Sequence, residues 1–303
     1  MRVQREKVRF QSGNDSCAAW FYRGDNGAIV VMAGGFAVPK EPATDRFAAA
    51  FHAAGFSVLA FDYRRLGESG GQPRQVVRID DQLADWDAAL AFAGGLPGVD
   101  RGKVAAWAFS LSGGQVLAVA ARHPELAAVI AQTPVADGRA ATRNAARHQT
   151  VRALLRFTGV AVLDALGSLI GRPPRLIPLA GPRGTVAVLT TPDALDGDRA
   201  LLPFDGPDGW PQVAAARSAL RLGSYRPGRL ARRIQCPLLV VACSDDQSAL
   251  AEPAIKAAEQ ARRAELLVLP GGHYAPFLEA HDDTVAAEIA FLRKYLLDGG
   301  GLR

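Results

Sequence analysis

The sequence predicts an α/β protein with a parallel sheet, and three observations support that prediction. Short, continuous apolar runs of the buried-strand type alternate with segments that carry apolar residues at helical spacing. One of these runs leads through a small-residue turn that contains serine into an Ala/Val/Leu-rich helix. The alternation stops near residue 137 and resumes near residue 230, which indicates an insertion in an otherwise regular chain.

The predicted strands and helices follow one another along the chain. Strands are predicted at residues 3–10, 17–22, 28–33, 57–62, 104–108, 126–131, 237–243 and 265–269. Helices are predicted at residues 42–54, 78–93, 115–122, 253–263 and 284–297. The insertion has helical stretches at 140–156 and 160–170 and then a loop-rich part without a clear strand period. Because it is too long for a plain loop, we expect a lid or cap over a pocket.

Composition excludes several classes of protein. The 303 residues, 49% of them hydrophobic, suffice for a sizeable core. The net charge of +5 comes mostly from scattered arginines, so we expect no nucleic-acid partner. Three cysteines, Cys17, Cys236 and Cys243, without metal-ligand spacing favour a reducing compartment. Without an apolar signal segment or a run of about 20 apolar residues, we expect a cytoplasmic protein without a membrane span; a homodimer is compatible with the sequence.

Ser110 is the candidate nucleophile. It follows the strand at 104–108 and begins a helix, which is the context of a nucleophile elbow. The tight turn needs small residues two positions before and after the serine, and Ala108 and Ser112 meet that need. Ser112 also has small neighbours, but Ser110 stands directly after the strand and is favoured. For Ser112-Gly113-Gly114 we expect close packing of helix on strand.

A serine nucleophile needs a base and an acid that orients the base, and the elbow predicts them after later strands. His273 stands in a glycine-flanked loop just past the strand at 265–269. For the acid, Asp246 is favoured over Asp245, and Asp137 is a third candidate. The losing aspartate is expected to cap a turn.

The oxyanion of an acyl-transfer reaction needs two backbone N–H donors. One is expected from Leu111, the residue after the nucleophile, at the positive end of its helix. The other is expected from Phe36, because Gly34-Gly35 after the strand at 28–33 lets the backbone approach closely.

Five segments together resemble the α/β-hydrolase superfamily, and within it the dienelactone-hydrolase and S15-peptidase-like esterases. Residues 34–36 stand in the place of the His-Gly-x oxyanion loop, and residues 62–69 resemble the D-x-R-G-x-G-x-S loop. Residues 108–114 resemble the G-x-S-x-S-G-G elbow, residues 243–246 the G-x-x-D segment, and residues 271–273 the G-G-H segment. Three glycine or histidine positions differ, as Gly34, Ala108 and Cys243, and none of them is a reacting group.

The resemblance implies an α/β-hydrolase fold: an eight-stranded, mostly parallel sheet with helices on both faces and a mainly helical cap inserted after the sixth strand. The core domain would comprise residues 1–136 and 230–303, and the cap residues 137–229. Ser110 would attack the carbonyl of a small-molecule acyl substrate, with His273 as base and Asp246 orienting it. Neither a metal nor an organic cofactor is expected.

A carboxylic ester hydrolase, acting on esters, lactones or thioesters, is the leading hypothesis. An acyltransferase or an aminopeptidase-like enzyme would use the same triad. A non-catalytic hydrolase-fold binding protein is the third alternative, and it would require a triad that lacks one of its residues. The sequence of the insertion does not specify which substrate is bound. Its apolar residues form either an acyl pocket or helix core: Leu154, Leu155, Phe157, Val162, Leu163, Leu166 and Leu169. Its arginines form a solvated face or bind an anion, the first being favoured: Arg139, Arg143, Arg147, Arg152 and Arg156.

Overall fold

The structure is a computed structural model that describes residues 4–202 and 210–299. Its strands are β1 (Glu6–Ser12), β2 (Asp15–Tyr22), β3 (Ile29–Ala33), β4 (Ser57–Phe61), β5 (Val104–Phe109), β6 (Ala128–Gln132), β7 (Leu176–Pro178), β8 (Val213–Ala215), β9 (Leu238–Cys243) and β10 (Ala264–Leu269). Its α-helices are α1 (Lys40–Ala53), α2 (Ile79–Ala93), α3 (Ser110–Ala120), α4 (Gly138–Arg147), α5 (Val151–Leu169), α6 (Gly197–Ala200), α7 (Ala251–Gln260) and α8 (His281–Leu296).

Eight of the strands form one sheet in the order β1-β2-β4-β3-β5-β6-β9-β10. The pairs β1–β2 and β2–β4 are antiparallel, and every later pair in the order is parallel. The mostly parallel, eight-stranded sheet predicted from the sequence is therefore confirmed. Its carboxyl ends from β3 to β10 lie along one edge, which is where ligand sites form in such sheets.

The two faces of the sheet bury different sets of side chains, because residues alternate along each strand. Ile29 and Val31 of β3 belong to a core that includes α2, α3 and α7. Val30 and Met32 belong to the opposite core, which includes α1 and α8. Since both faces are covered, strands β3, β4, β5, β6 and β9 are buried throughout and read as continuous apolar runs.

The segment between β6 and β9 contains α4, α5, α6 and the antiparallel pair β7–β8. Its helices break at a different place from the prediction. The hydroxyl of Thr150 accepts a hydrogen bond from the Ala153 N–H at 3.2 Å and begins α5, whereas α4 ends at Arg147. Strands β7 and β8 have three residues each, too few to show a strand period. Residues 137–229 are called the inserted segment below; that they form a separate cap domain stays a prediction.

The described helices were also compared with the length and apolarity that a membrane span requires. Within residues 4–202 and 210–299, none is both long and apolar enough to cross a bilayer.

Candidate active site

The turn between β5 and α3 holds Ser110 in an unusual backbone conformation. Its φ angle is +61°, in the left-handed region that L-residues other than glycine rarely adopt. The Ser110 carbonyl accepts a hydrogen bond from the Val135 N–H at 2.9 Å, which ties the turn to the segment after β6. A Cβ atom on Gly114 would lie 2.4 Å from the Val135 carbonyl oxygen. Only a glycine there lets α3 approach so closely, which agrees with the close packing expected for residues 112–114.

Three predicted side chains meet at this turn through two hydrogen bonds. The Ser110 Oγ lies 2.9 Å from the His273 Nε2, and the His273 Nδ1 lies 2.7 Å from the Asp246 Oδ2. Because the Asp246 carboxylate accepts the Nδ1–H, the Nε2 of a neutral imidazole carries the lone pair that faces the serine hydroxyl. The structure thus places the predicted nucleophile, base and acid in the order that acyl transfer needs.

Backbone groups fix the carboxylate of Asp246. Its Oδ1 accepts hydrogen bonds from the N–H groups of Ser248 at 2.9 Å and Ala249 at 2.6 Å. The other oxygen is thereby left to His273, whose side chain is only 1% exposed. The ring of Phe109 lies against the imidazole with 5.0 Å between ring centroids. The imidazole is held by its acid on one side and by an aromatic ring on the other.

The environment of His273 favours its protonated form. Burial opposes the charged imidazolium, but the charge and hydrogen bond of Asp246 and the charge of Asp193 outweigh it, and the pKa is raised above its ordinary value. An imidazole of raised pKa accepts a proton from an attacking serine more readily. Such an imidazole also loses its proton-accepting form at a higher pH than an ordinary histidine does as the pH falls.

Asp193, from the inserted segment, was missed by the sequence analysis. Its Oδ2 accepts hydrogen bonds from the backbone N–H of His273 at 3.2 Å and of Gln247 at 2.8 Å. Its Oδ1 accepts the hydroxyl hydrogen bond of Ser248 at 2.9 Å. Burial disfavours its charge, but His273 and these donors lower the pKa of the carboxyl below its ordinary value. One carboxylate therefore joins the inserted segment to both the acid loop and the histidine loop.

The competing serine lies in the core. Ser112 is fully buried and accepts a hydrogen bond from the Tyr63 hydroxyl at 2.9 Å. A Cβ atom on the following residue, Gly113, would lie 2.9 Å from the Gln132 carbonyl oxygen. The expected packing role of this stretch therefore agrees with the structure.

The two other aspartates cap local structure. The Asp245 carboxylate accepts hydrogen bonds from the Ser244 hydroxyl at 3.1 Å and the Gly271 N–H at 3.2 Å, within the loops after β9 and β10. Asp137 caps α4 through the N–H groups of Arg139 and Ala140 and pairs with Arg226 at 2.7 Å. Neither carboxylate has a hydrogen bond with His273 in the described part of the chain.

The loop after β3 closely approaches the nucleophile. A Cβ atom on Gly35 would lie 3.1 Å from the Cβ of Ser110, and one on Gly34 would lie 2.6 Å from the Val38 carbonyl oxygen. Phe36 and Leu111 both border the cavity at Ser110. The Leu111 N–H lies in the first turn of α3, where the helix itself supplies no acceptor. Their role as oxyanion donors stays a prediction.

The segment at 62–69 holds the end of the loop after β3, where α1 begins. The Asp62 carboxylate accepts hydrogen bonds from the Lys40 backbone N–H at 2.8 Å and its ammonium at 2.9 Å, where α1 begins, and from the Glu68 N–H at 2.9 Å. A Cβ atom on Gly67 would lie 2.3 Å from the Asp62 Oδ2. Burial opposes the charge of Lys40, but Asp62 and Glu41 raise the pKa of the ammonium. The motif thus fixes the point at which the loop after β3 meets α1.

A mainly apolar cavity of about 290 Å³ opens onto Ser110. Its walls come from the core and from the inserted segment, and include Phe109, Val135, Leu154, Phe157, Leu189 and Trp210. Two of the seven apolar residues left open by the sequence, Leu154 and Phe157, line it. The other five are exposed and serve neither cavity nor core. All five arginines of α4 and α5 are exposed and lie outside the cavity wall, in agreement with the favoured solvated-face interpretation.

Comparisons of sequence and structure with known proteins support this architecture. The alpha/beta hydrolase family model matches residues 29–288. The quorum-quenching protein AidA of Acinetobacter baumannii is 37% identical over 95% of this chain and 94% of its own length. The polyketide transferase af380 of Aspergillus fumigatus is 31% identical over 60% of each chain. The crystal structure of the hydrolase GrgF from Penicillium superposes with a TM-score of 0.79 at 20% identity, covering 97% of this chain and 99% of that one. This chain belongs to the alpha/beta hydrolase family.

Proposed function

We propose that this protein is a serine hydrolase that cleaves a carboxylic ester, lactone or thioester through an acyl-enzyme intermediate. The observation that carries the proposal is the continuous line of hydrogen bonds from Ser110 through His273 to Asp246, at 2.9 and 2.7 Å, at the base of an apolar cavity. A serine with an oriented base beside it is the arrangement that activates a hydroxyl as a nucleophile.

The reaction follows from the positions of these groups. The Ser110 Oγ attacks the substrate carbonyl carbon while the His273 Nε2 takes its proton, and the carbonyl oxygen becomes an oxyanion next to the N–H groups of Phe36 and Leu111. The intermediate collapses, and the proton on His273 passes to the departing alkoxide or thiolate. Water then attacks the acyl-enzyme while the His273 Nε2 takes one of its protons. As the second intermediate collapses, His273 gives this proton to the Ser110 Oγ, which releases the acid and the free serine.

The cavity favours an uncharged acyl group. Among the described lining residues Asp198 is the one with a formal charge, and no lysine or arginine faces the space. Burying an acyl carboxylate there would leave a charge without a partner, which is costly. An apolar acyl chain would instead gain contact with Leu154, Phe157 and Leu189.

Acyl transfer to an alcohol or amine acceptor is the second candidate. It would use the same acyl-enzyme with an acceptor other than water, and the relative from Aspergillus fumigatus is called a polyketide transferase. An aminopeptidase-like activity would place an amide in the same position. These outcomes differ in the fate of the acyl group, which can be measured.

The test is labelling with a fluorophosphonate probe followed by peptide mass spectrometry, with Ser110→Ala and Ser112→Ala as paired variants. We expect label on Ser110 that disappears in Ser110→Ala and persists in Ser112→Ala. Label on Ser112, or folded protein without label, would contradict the proposal. Turnover of matched ester, lactone, thioester and amide substrates, with and without an added alcohol, then separates hydrolysis from transfer by the ratio of free acid to new ester.

A further inference from the structure

The outer face of α5 is the largest unexplained feature of the inserted segment. Val151, Leu155, Val162, Leu166 and Leu169 recur at helical spacing along one side of this helix. Leu163 and Ile170 widen the stripe, and the seven side chains are between 42% and 81% exposed. Scattered exposed leucines need no explanation, but seven exposed aliphatic side chains along one helix, interrupted only at Thr158 and Gly159, indicate an interaction surface.

The opposite side of the same helix faces inward. Leu154 and Phe157 line the cavity above Ser110, and Ala153, Ala161 and Asp164 are buried. α5 therefore has two apolar sides, one toward the cavity and one toward solvent. The outer side is not required for the fold, since packing of the described segment already uses the inner side.

The exposed charges on α4 and α5 are all positive. Helices α4 and α5 carry five exposed arginines, including Arg152 and Arg156 directly beside Val151 and Leu155. Their single carboxylate, Asp164, is buried and accepts hydrogen bonds from the N–H groups of Arg175 at 2.8 Å and Arg217 at 2.9 Å. No exposed carboxylate on either helix offsets these arginines.

A shallow groove at the far end of α5 repeats this combination. Its lining includes the aliphatic side chains of Leu163, Leu166 and Ile170 and the arginines Arg172 and Arg175. Asp164 also borders it, but this carboxylate is buried and accepts the Arg175 backbone N–H. In the described ranges, neither of these two guanidinium groups lies within salt-bridge distance of a carboxylate. A phosphate group bound by the arginines would have its attached hydrocarbon chains beside the leucines.

We propose that the outer face of α5, with its flanking arginines, docks on an anionic lipid surface. Apolar side chains in one stripe and arginines beside them are the pattern of helices that lie in the membrane interface. A second copy of the chain is disfavoured, because pairing through this face would bring two arginine-rich surfaces together without carboxylates between them. Docking would set the inserted segment against the bilayer. If the proposed function holds, an apolar substrate dissolved in the lipid would lie beside the cavity wall.

The test is flotation of the purified full chain with vesicles of phosphatidylcholine alone or mixed equally with phosphatidylglycerol. We expect binding to the anionic vesicles that weakens with salt and is much weaker without phosphatidylglycerol. Leu155→Ser with Leu166→Ser, and separately Arg152→Gln with Arg156→Gln, should each lower the partition coefficient on the order of tenfold. All four side chains are exposed, so these variants should fold like the wild type.

The matched controls make the same kinds of substitution at exposed positions outside the inserted segment. Leu266→Ser with Val268→Ser alters two exposed aliphatic residues of β10, and Arg232→Gln with Arg233→Gln removes two exposed arginines; neither pair should change binding. Equal weakening by the control pairs, absence of binding to anionic vesicles, or a dimer in sedimentation equilibrium that the leucine variants dissociate would overturn the proposal. The assay contains no substrate, so its result is independent of the proposed catalytic activity.

Discussion

The side chains at the strand ends around Ser110 and those on the outer face of α5 differ in burial and in their partners. At the strand ends, buried polar groups have specified partners: Asp246 accepts three hydrogen bonds and Asp193 holds two loops. On α5, six aliphatic side chains lie exposed, and Ile170 directly after it adds a seventh. The five exposed arginines of α4 and α5 have no exposed carboxylate on either helix. Under the proposed function, the residues at the strand ends would carry out the chemistry and the inserted segment would select the substrate.

The largest expected effect follows from a substitution at the strand ends, at Ser110. Ser110→Ala should lower kcat/KM at least about a thousandfold, because it removes the nucleophile and leaves the fold unchanged. Steady-state kinetics on the best substrate of the ester, lactone and thioester panel measures the loss. Ser112→Ala, two residues away, should retain most of the activity; equal loss in both variants would mean that the turn, and not the Ser110 hydroxyl, is what matters.

Asp193 is where the two regions meet, and its charge can be removed with little change of shape. Asp193→Asn should lower kcat/KM roughly tenfold and move the acidic limb of the pH profile to lower pH. The direction follows because Asp193 helps to raise the pKa of His273, and without that charge the imidazole stays neutral to a lower pH.

The control for this change is Asp196→Asn, which removes an exposed carboxylate that pairs with Arg199 in the same segment. Its pH profile should match the wild type. A slower Asp193→Asn enzyme whose acidic limb stays in place would show that Asp193 acts on the shape of the loops alone.

The inserted segment should control the size of the acyl group. Ala145→Leu adds volume to the cavity wall, so it should lower kcat/KM for long-chain acyl substrates by about tenfold relative to short ones. A series of esters with acyl chains of increasing length measures the shift. Ala140→Leu makes the same change on the same helix outside the cavity wall and should leave the series unchanged; parallel changes would place the acyl chain elsewhere.

The smallest expected effect concerns Glu288, a buried carboxyl group of the core that lies outside the candidate active site. Burial raises the pKa of Glu288 well above its ordinary value, and its Oε1 accepts a hydrogen bond from the Trp107 indole at 3.0 Å. The unfolded chain ionises this carboxyl at lower pH, so the stability present in acid is lost as the pH rises above the unfolded pKa.

Glu288→Gln should therefore raise the free energy of unfolding by roughly 1 kcal/mol at about pH 8, with a smaller gain at about pH 5. Denaturant titrations at both pH values measure the difference. Glu259→Gln, on the exposed side of α7, should change neither value. A gain that is the same at both pH values would show that the charge of Glu288 is not responsible.

Much of the core and of the candidate triad could be predicted from the sequence because both depend on local pattern. A strand buried on both faces must be apolar at every position, so β3, β5 and β9 were evident. The residues directly after such strands gather at one edge of the sheet, which is why Ser110 and His273 could be paired before their distance was known. The choice of Asp246 over Asp245 rested further on resemblance to the family.

The inserted segment was less predictable, because its structure depends on contacts between residues far apart in sequence. Asp193 meets His273 across 80 positions, and nothing near Asp193 marks it as a partner of that loop. Helical spacing showed that α5 has apolar sides, but spacing cannot tell whether another element covers them.

The sequence by itself therefore determined the parallel sheet of an α/β fold, the elbow and the chain order of the candidate triad residues. The sheet follows from the period of buried residues, the elbow follows from turn sterics, and the eight strands and their order were implied by the resemblance to the family. Only the tertiary structure decided that Leu154 and Phe157 face the cavity while Leu155 and Leu166 face solvent. Periodicity assigns residues to the sides of a helix, whereas the packing of the whole chain decides what each side contacts.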